Sequence, residues 1–350
     1  MVREAISVIG LGYIGLPLAM CLCEQGHRVI GIDVDPVKLR DLSAGRTQVM
    51  ESYEGEPLAS ILQRHLASGR FVPTGDWAMA AEASSHIITV GIPVHENGVP
   101  DPLPLLAAIR SLGAVLRQGD LVLVRSTLVP GMMEQDIIPL LAETSRMVPG
   151  TDFAVAYAAE RVAEGRAMYE FRTLDVVVGG LTPACGERAK ALLSTLTDGQ
   201  VHLTDLRTAQ LTKVIENVQR DVNIALAHQI KEIAEHHGVD VYELIRLANT
   251  HPRVRLLEPG LGVGGYCIPN AYAYIAASLP KTRPVPLLTL ARRINEEAPI
   301  RAAAQLERQL AALGKRLRES TVAILGLGMK DGSNDTDSAP RRSLVNWKSE

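Results

Sequence analysis

The N-terminal half of the chain alternates short apolar runs with longer amphipathic stretches. Ile6-Ser7-Val8-Ile9, Val29-Ile30-Gly31-Ile32, His86-Ile87-Ile88-Thr89-Val90, Leu121-Val122-Leu123-Val124 and Asp175-Val176-Val177-Val178 read as strands. Runs this apolar suit strands buried on both faces of a sheet. Helical patterns follow the first run, to about Gln25, and recur near 102–116, 131–143 and 183–195. This β–α repetition predicts an α/β fold built on an open, doubly wound parallel sheet. Residues 205–237 then form one long helical pattern, with Leu211, Val214, Ile215, Val218, Val222, Ala225, Leu226, Ile230 and Ile233 at helix spacing. A helix of that length either spans two domains or pairs with another subunit.

The first strand and helix are joined by Gly10-Leu11-Gly12-Tyr13-Ile14-Gly15. In a dinucleotide-binding turn the first glycine permits the tight bend and the second lets the backbone approach a pyrophosphate. The third allows close helix–strand packing, and the helix N-terminus favours the phosphate charge. Asp33 ends the second strand, where a carboxylate accepts the hydroxyls of an adenosine ribose. The carboxylate favours NAD over NADP, because it would repel a 2′-phosphate. Lys38 is a further candidate phosphate contact, against the alternative of a solvated helix lysine. Ser126-Thr127 falls at a strand end, where such sheets bind ligands; the alternative is a hydroxyl pair capping the next turn. The N-terminal part is thus expected to be a Rossmann-type NAD-binding domain.

Composition narrows the function further. The 350 residues are 47% hydrophobic and 21% charged, with a formal net charge of −3. That is an ordinary globular balance, without the basic field that nucleic acid demands. No uninterrupted apolar run reaches the roughly 18 residues of a membrane span. The N-terminus leads straight into a strand, not a signal peptide, so a cytoplasmic protein without membrane attachment is expected. Four cysteines, Cys21, Cys23, Cys185 and Cys267, form no zinc-type pair, and no metal site is read from the chain. Cys21 and Cys23, on the first helix, read as small core residues.

Cys267 stands apart. It closes Glu258-Pro259-Gly260-Leu261-Gly262-Val263-Gly264-Gly265-Tyr266-Cys267. A stretch so poor in side chains suits a loop whose backbone approaches a ligand, and a cysteine on it would be accessible. The alternative is a tight structural loop with a buried cysteine. Lys213 and Asn217 share one face of the long helix, with Arg220 and Asp221 a turn further. Taken alone, they suit an ordinary polar face.

Taken together, these stretches resemble the nucleotide-sugar 6-dehydrogenases, the enzymes that oxidise UDP-glucose, UDP-N-acetylglucosamine and UDP-N-acetylmannosamine. The resemblance rests on residues 10–17, Ser126-Thr127-Leu128-Val129-Pro130-Gly131, Glu160-Arg161, 213–225 and 262–269. Arg220-Asp221-Val222-Asn223 and His251-Pro252-Arg253-Val254 look most like the N-acetylated branch. The resemblance implies an NAD-binding domain over 1–204, a central helical dimerisation domain over 205–300, and the start of a UDP-sugar-binding domain over 301–350. It implies a homodimer through the central helix. It also implies NAD-dependent, four-electron oxidation of a sugar C6 alcohol to a carboxylate, with Cys267 passing through a thiohemiacetal and a thioester. Lys213 and Asn217 would stabilise oxyanionic species, Glu160 would handle protons, and Thr127 would hold water or cofactor. Tyr13, Ile14, Ser126 and Glu164 join the expected cofactor contacts. Arg161, Arg220, Arg253, Gly264, Gly265 and Tyr266 join the expected sugar-substrate contacts.

Three departures from the family pattern stand out. Ala271 occupies the position where the family usually has an aspartate paired with the lysine. Asp337 stands where an arginine is usual, with Arg341 and Arg342 nearby. The third domain only begins, which raises the expectation of a smaller sugar-nucleoside or glycoside substrate. A non-catalytic regulatory relative and a two-electron alcohol dehydrogenase are the competing readings.

Overall fold

The computed structural model describes residues 4–323 and divides between Val214 and Ile215 into two compact units. Asp337, Arg341, Arg342 and most of the expected third domain lie outside the described residues.

The first unit begins with β1 (Ile6–Ile9), α1 (Gly15–Glu24), β2 (Val29–Ile32) and α2 (Pro36–Ser43). A hairpin of β3 (Ser52–Tyr53) and β4 (Glu56–Pro57) leads to α3 (Leu58–Ala67) and β5 (Phe71–Thr74). Next come β6 (Ser85–Ile88), α4 (Leu103–Gly113), β7 (Leu121–Val124) and α5 (Ile138–Ser145). The unit continues with β8 (Ala154–Tyr157), α6 (Ala167–Thr173), β9 (Val176–Gly180), α7 (Pro183–Leu193) and β10 (Val201–Asp205). The long helix α8 (Leu206–His237) follows. The second unit adds α9 (Val241–Ala248), α10 (Cys267–Ser278) and α11 (Pro286–Ala312).

Eight strands form one sheet in the order β10-β9-β8-β7-β6-β1-β2-β5. The order reverses at β1, which lies between β2 and β6, so a ligand crevice is expected above its C-terminal end. Every residue of β1, β2, β6, β7 and β8 is buried, as their apolar runs require. One pairing departs from the expected parallel sheet: β8 and β9 run antiparallel. The short α6 turns the chain back beside β8 without a full crossover. β5 and β10 cap the two edges of the sheet. Pro73 is tolerated in β5 because an edge strand has one side without a ladder partner.

A polar relay crosses the buried middle of the sheet. The Ser7 hydroxyl lies 2.8 Å from His86 Nδ1, and His86 Nε2 lies 3.2 Å from Asp120 Oδ2. Asp120 also accepts the N–H of Arg117 at 2.8 Å. The residue types are those of a hydrolytic triad, but Ser7 and His86 are wholly buried, so no substrate reaches them. The relay instead ties β1, β6 and the start of β7. Burial raises the Asp120 carboxyl, but hydrogen bonds from His86 and Arg117 outweigh it and hold the group below the usual carboxylate range. Such a depressed carboxyl stabilises the fold above its unfolded value, about 3.9, and the contribution vanishes as pH falls through the folded value. Among the described residues, no helix is long and apolar enough to cross a membrane.

His86→Leu should therefore cost about 1–3 kcal/mol at pH 7, because it strands a buried carboxylate. The deficit should shrink at a pH below the depressed folded value of Asp120, where the carboxyl is protonated in both proteins. Urea unfolding at the two pH values checks this; an equal deficit at both would contradict the assignment.

Candidate active site

The turn after β1 is built around the Gly10 carbonyl. Gly10 takes a φ of +92°, which a side chain would disfavour. A Cβ at Gly15 would stand 1.8 Å from the Gly10 oxygen, so α1 starts hard against the strand end. A Cβ at Gly12 would meet nothing within 4 Å, so this exposed backbone faces open space. Thr89, just past β6, holds the turn from the far side: its hydroxyl donates to the Ile9 and Gly10 carbonyls at 3.0 and 2.7 Å. Thr89 was not among the expected site residues.

Asp33 directly follows β2 as a buried, hydrogen-bonded carboxylate. Its Oδ2 accepts the N–H of Leu11 at 2.8 Å, and its Oδ1 accepts that of Asp35 at 3.0 Å. Lys38, expected as a phosphate contact, places its ammonium 2.8 Å from Asp33 Oδ2. Burial would raise this carboxyl, but Lys38 and the two N–H groups hold it below its ordinary value. Asp33 is therefore a fixed anion, and its partner Lys38 lines a pocket of about 230 Å³ together with Leu11, Gly12, Tyr13 and Arg46. The open face of Gly12, the helix N-terminus and the anchored carboxylate fit the pyrophosphate and adenosine ribose of NAD.

Further along the same sheet edge, Ser126 is buried with its hydroxyl 3.4 Å from the Ile88 carbonyl, and Thr127 is half-buried. Glu160 follows β8 and is almost fully enclosed. Its Oε1 accepts the N–H groups of Arg161 and Val162 at 2.6 and 2.7 Å. Its Oε2 pairs with Arg125 at 2.5 Å. Arg125 is itself buried, with its guanidinium 5.5 Å from the centre of the Phe171 ring. Arg161 is exposed and donates to the Asp175 carbonyl; Glu164 is half-buried in the same loop. Gln210, fully buried on α8, accepts the N–H groups of Gly131 and Met133 at 3.1 and 3.3 Å. It fixes the end of the Ser126–Thr127 loop to the helix that carries Lys213 one turn later. The sequence reading missed Arg125 and Gln210; a charged residue at the end of an apolar strand was the only visible signal for the first.

In the second unit, Cys267 is exposed, while the other three cysteines are buried. It is the first residue of α10, where the glycine-rich loop that it closes ends. Helix begins where the glycine run ends, and Pro269 is tolerated within its first turn. That end of a helix favours negative charge on a nearby group. Asn217 is buried on α8 and donates to the Cys267 backbone carbonyl at 3.4 Å. Gly264 and Gly265 are buried and Tyr266 is exposed; Arg220 and Arg253 are exposed. Ala271 is completely buried one turn into α10. Asn270 hydrogen-bonds Tyr266 and Tyr274, whose phenols are pushed up by burial. By contrast, burial pushes the Cys21 and Cys23 thiols up, which leaves them inert core residues.

The profile of the UDP-glucose/GDP-mannose dehydrogenase family matches this chain twice: its NAD binding domain over residues 4–197 and its central domain over 207–297. The chain belongs to this family. It carries the family's NAD-binding domain, and NAD is its cofactor. It is 36% identical over 340 residues to a UDP-N-acetyl-D-mannosamine dehydrogenase of Pyrococcus horikoshii, covering 97% of this chain and 79% of the relative. It is likewise 36% identical over 350 residues to the enzyme of that name from Escherichia coli strain K12, covering 97% and 81%. The solved Pyrococcus horikoshii UDP-D-ManNAc dehydrogenase superposes with a TM-score of 0.92 at 35% identity, covering 98% of this chain and 80% of that one. These relatives are named for the N-acetylmannosamine nucleotide, not for UDP-glucose.

The glycine turn separates binding from folding. Gly12→Ala should leave the thermal midpoint unchanged, since its Cβ enters open space, yet weaken NAD binding about tenfold, or about 1.4 kcal/mol. Gly15→Ala should lower both. NADH fluorescence titration with thermal melts checks the contrast; unaltered NAD affinity in Gly12→Ala would remove that backbone from the cofactor site.

Proposed function

We propose that this protein oxidises the C6 primary alcohol of a UDP-linked N-acetylated hexosamine to a carboxylate, with Cys267 as the nucleophile. The carrying observation is an exposed thiol at a helix N-terminus, its backbone held by Asn217, in a chain with an NAD-binding domain. The names of its relatives support the N-acetylated nucleotide sugar as substrate class.

NAD, when bound, supplies the hydride acceptor, one molecule for each of two oxidations. Gly10, Gly12, Tyr13, Ile14, Gly15, Asp33 and Lys38 would hold it, together with Ser126, Thr127 and Glu164. Between the oxidations, the Cys267 sulfur adds to the aldehyde carbon and forms a thiohemiacetal. After the second, the carbon is a thioester; water adds to it and expels the thiolate, leaving the sugar carboxylate. Lys213 and Asn217 offer N–H donors to the negative oxygen that forms at C6. Glu160 takes the proton of the attacking water. Arg161, Arg220, Arg253 and the Gly264-Gly265-Tyr266 backbone contact the nucleotide sugar. A domain division near residues 204 and 300 belongs to the same reading.

α8 also supports a homodimer. Leu211, Ile215, Leu226 and Ile233 fall on one face of it and are 42%, 49%, 47% and 57% exposed. Four large apolar side chains in a stripe are costly to leave in water. Leu226→Glu with Ile233→Glu should yield a monomer by light scattering; an unchanged mass would rule out this face as the dimer contact.

Ala271 motivates the competing reading, a non-catalytic relative, because the family's usual aspartate is absent. Turnover of UDP-N-acetylmannosamine decides between them. Two NADH per sugar are expected, with Cys267→Ala abolishing the second and Cys267→Ser slowing it at least a hundredfold. One NADH per sugar would indicate a two-electron dehydrogenase, and no NADH at all a binding relative.

A further inference from the structure

The second unit contains a buried polar cluster that the reaction above does not use. Asp221, Arg292 and Asn295 are 3%, 5% and 1% exposed. The Arg292 guanidinium donates to Asp221 Oδ1 at 2.9 Å. The Asn295 amide donates both to Asp221 Oδ1 at 2.7 Å and to the Asp221 backbone carbonyl at 2.9 Å. The cluster pins α11 to α8 at a fixed register, one turn beyond Asn217.

Its other side faces the loop that leads to Cys267. Pro299 sits inside α11 and has no N–H to give to the Asn295 carbonyl four residues earlier. That carbonyl lies against Gly262: a Cβ there would stand 3.0 Å from the Asn295 oxygen and 3.3 Å from Pro299 Cδ. Gly262 also holds a φ of +112°, a conformation open to glycine and strained for other residues. The loop is therefore seated on α11 at Gly262 and on α8 at Cys267, where Asn217 reaches the backbone carbonyl.

We infer that Asp221, Arg292, Asn295 and Pro299 position the Cys267 thiol by seating Gly262 on the carbonyl that Pro299 frees. They are positioning residues: they act on the thiol through the backbone of the 262–267 segment and touch no substrate. The inference rests on Cys267 being the nucleophile, as proposed above, only for its effect on turnover.

The test uses the full-length protein, with Pro299→Ala and Asn295→Ala as separate variants. Pro299→Ala restores an N–H donor within the helix and removes the ring from Gly262, so it keeps or raises the thermal midpoint. Asn295→Ala removes both bonds to Asp221. Three readouts apply: the rate of Cys267 alkylation by iodoacetamide, followed by peptide mass spectrometry; kcat with UDP-N-acetylmannosamine; and KM for NAD. Both variants should slow alkylation about threefold or more, and lower kcat about tenfold, with KM for NAD unchanged, since sub-ångström placement governs such steps. A purely structural role would lower the thermal midpoint and leave thiol reactivity in the folded protein unaltered. Native alkylation rates in a folded Pro299→Ala protein overturn the inference, whatever the turnover. If Cys267→Ala instead retains full turnover, the proposed function falls, while the alkylation rates still judge the positioning.

Discussion

The close approach of two backbone segments at the Gly10 carbonyl governs the first unit. With 1.8 Å between that oxygen and the place of a Gly15 Cβ, α1 has one way to leave β1. The cofactor features follow from this. The first-turn N–H groups of α1 open toward the crevice beside β1, and Gly12 presents bare backbone there. Leu11 comes close enough to donate its N–H to Asp33, so the carboxylate is oriented by the turn and not only by its own strand. Thr89 then secures the oxygen from β6, across the point where the strand order reverses. Dispersed over β1, β2 and β6, these contacts act as one device because they share the Gly10–Leu11 peptide group.

Buried charges supply the second level of order, and each is met by a partner. Asp33 meets Lys38, Glu160 meets Arg125, Asp120 meets His86, and Asp221 meets Arg292. Exposed pairs such as Arg46–Asp41 contribute little, of the order of 0–1 kcal/mol. The two fully enclosed ion pairs, Glu160–Arg125 and Asp221–Arg292, differ in kind: forming one roughly breaks even, but removing one partner costs about 3–5 kcal/mol. Their value lies in geometry. Glu160, held by a guanidinium and two backbone N–H groups, cannot swing away from the strand end. Asp33 is likewise set before any ribose arrives, so little ordering is left to be done on binding.

What the sequence disclosed follows the range of each signal. β1, β2 and β7 were legible because their residues are apolar on both faces, and β2 ended visibly at Asp33. β8, written Ala154-Val155-Ala156-Tyr157, was not, since two alanines carry little strand preference. β5 and β10 escaped because edge strands need less apolar character. α8 was read nearly to its ends, yet its periodicity could not say that Val214 and Val218 would be buried while Ile215 and Leu226 stayed exposed. The glycine turn and Cys267 were found because their chemistry is local. Arg125, Gln210, Arg292 and Asn295 were not, because each acts on a group distant in sequence, and an isolated polar residue in an apolar pattern does not name its partner.

The same distinction gives weight to Pro299. A proline inside a helix costs about 3 kcal/mol, and a non-helical residue held at positive φ imposes its own restriction. Either alone would be an unremarked irregularity. Here the two meet: the ring that breaks the α11 ladder lies against the glycine that bends the Cys267 loop. Local rules are broken where a longer-range demand outweighs them. A cluster of three buried polar residues beneath the break supports it, and an exposed thiol lies five residues beyond the bend. The cost in α11 is intelligible if the fold requires that loop at a fixed height above the helix. The Asn295 carbonyl, released from helical bonding, is the surface on which that height is set.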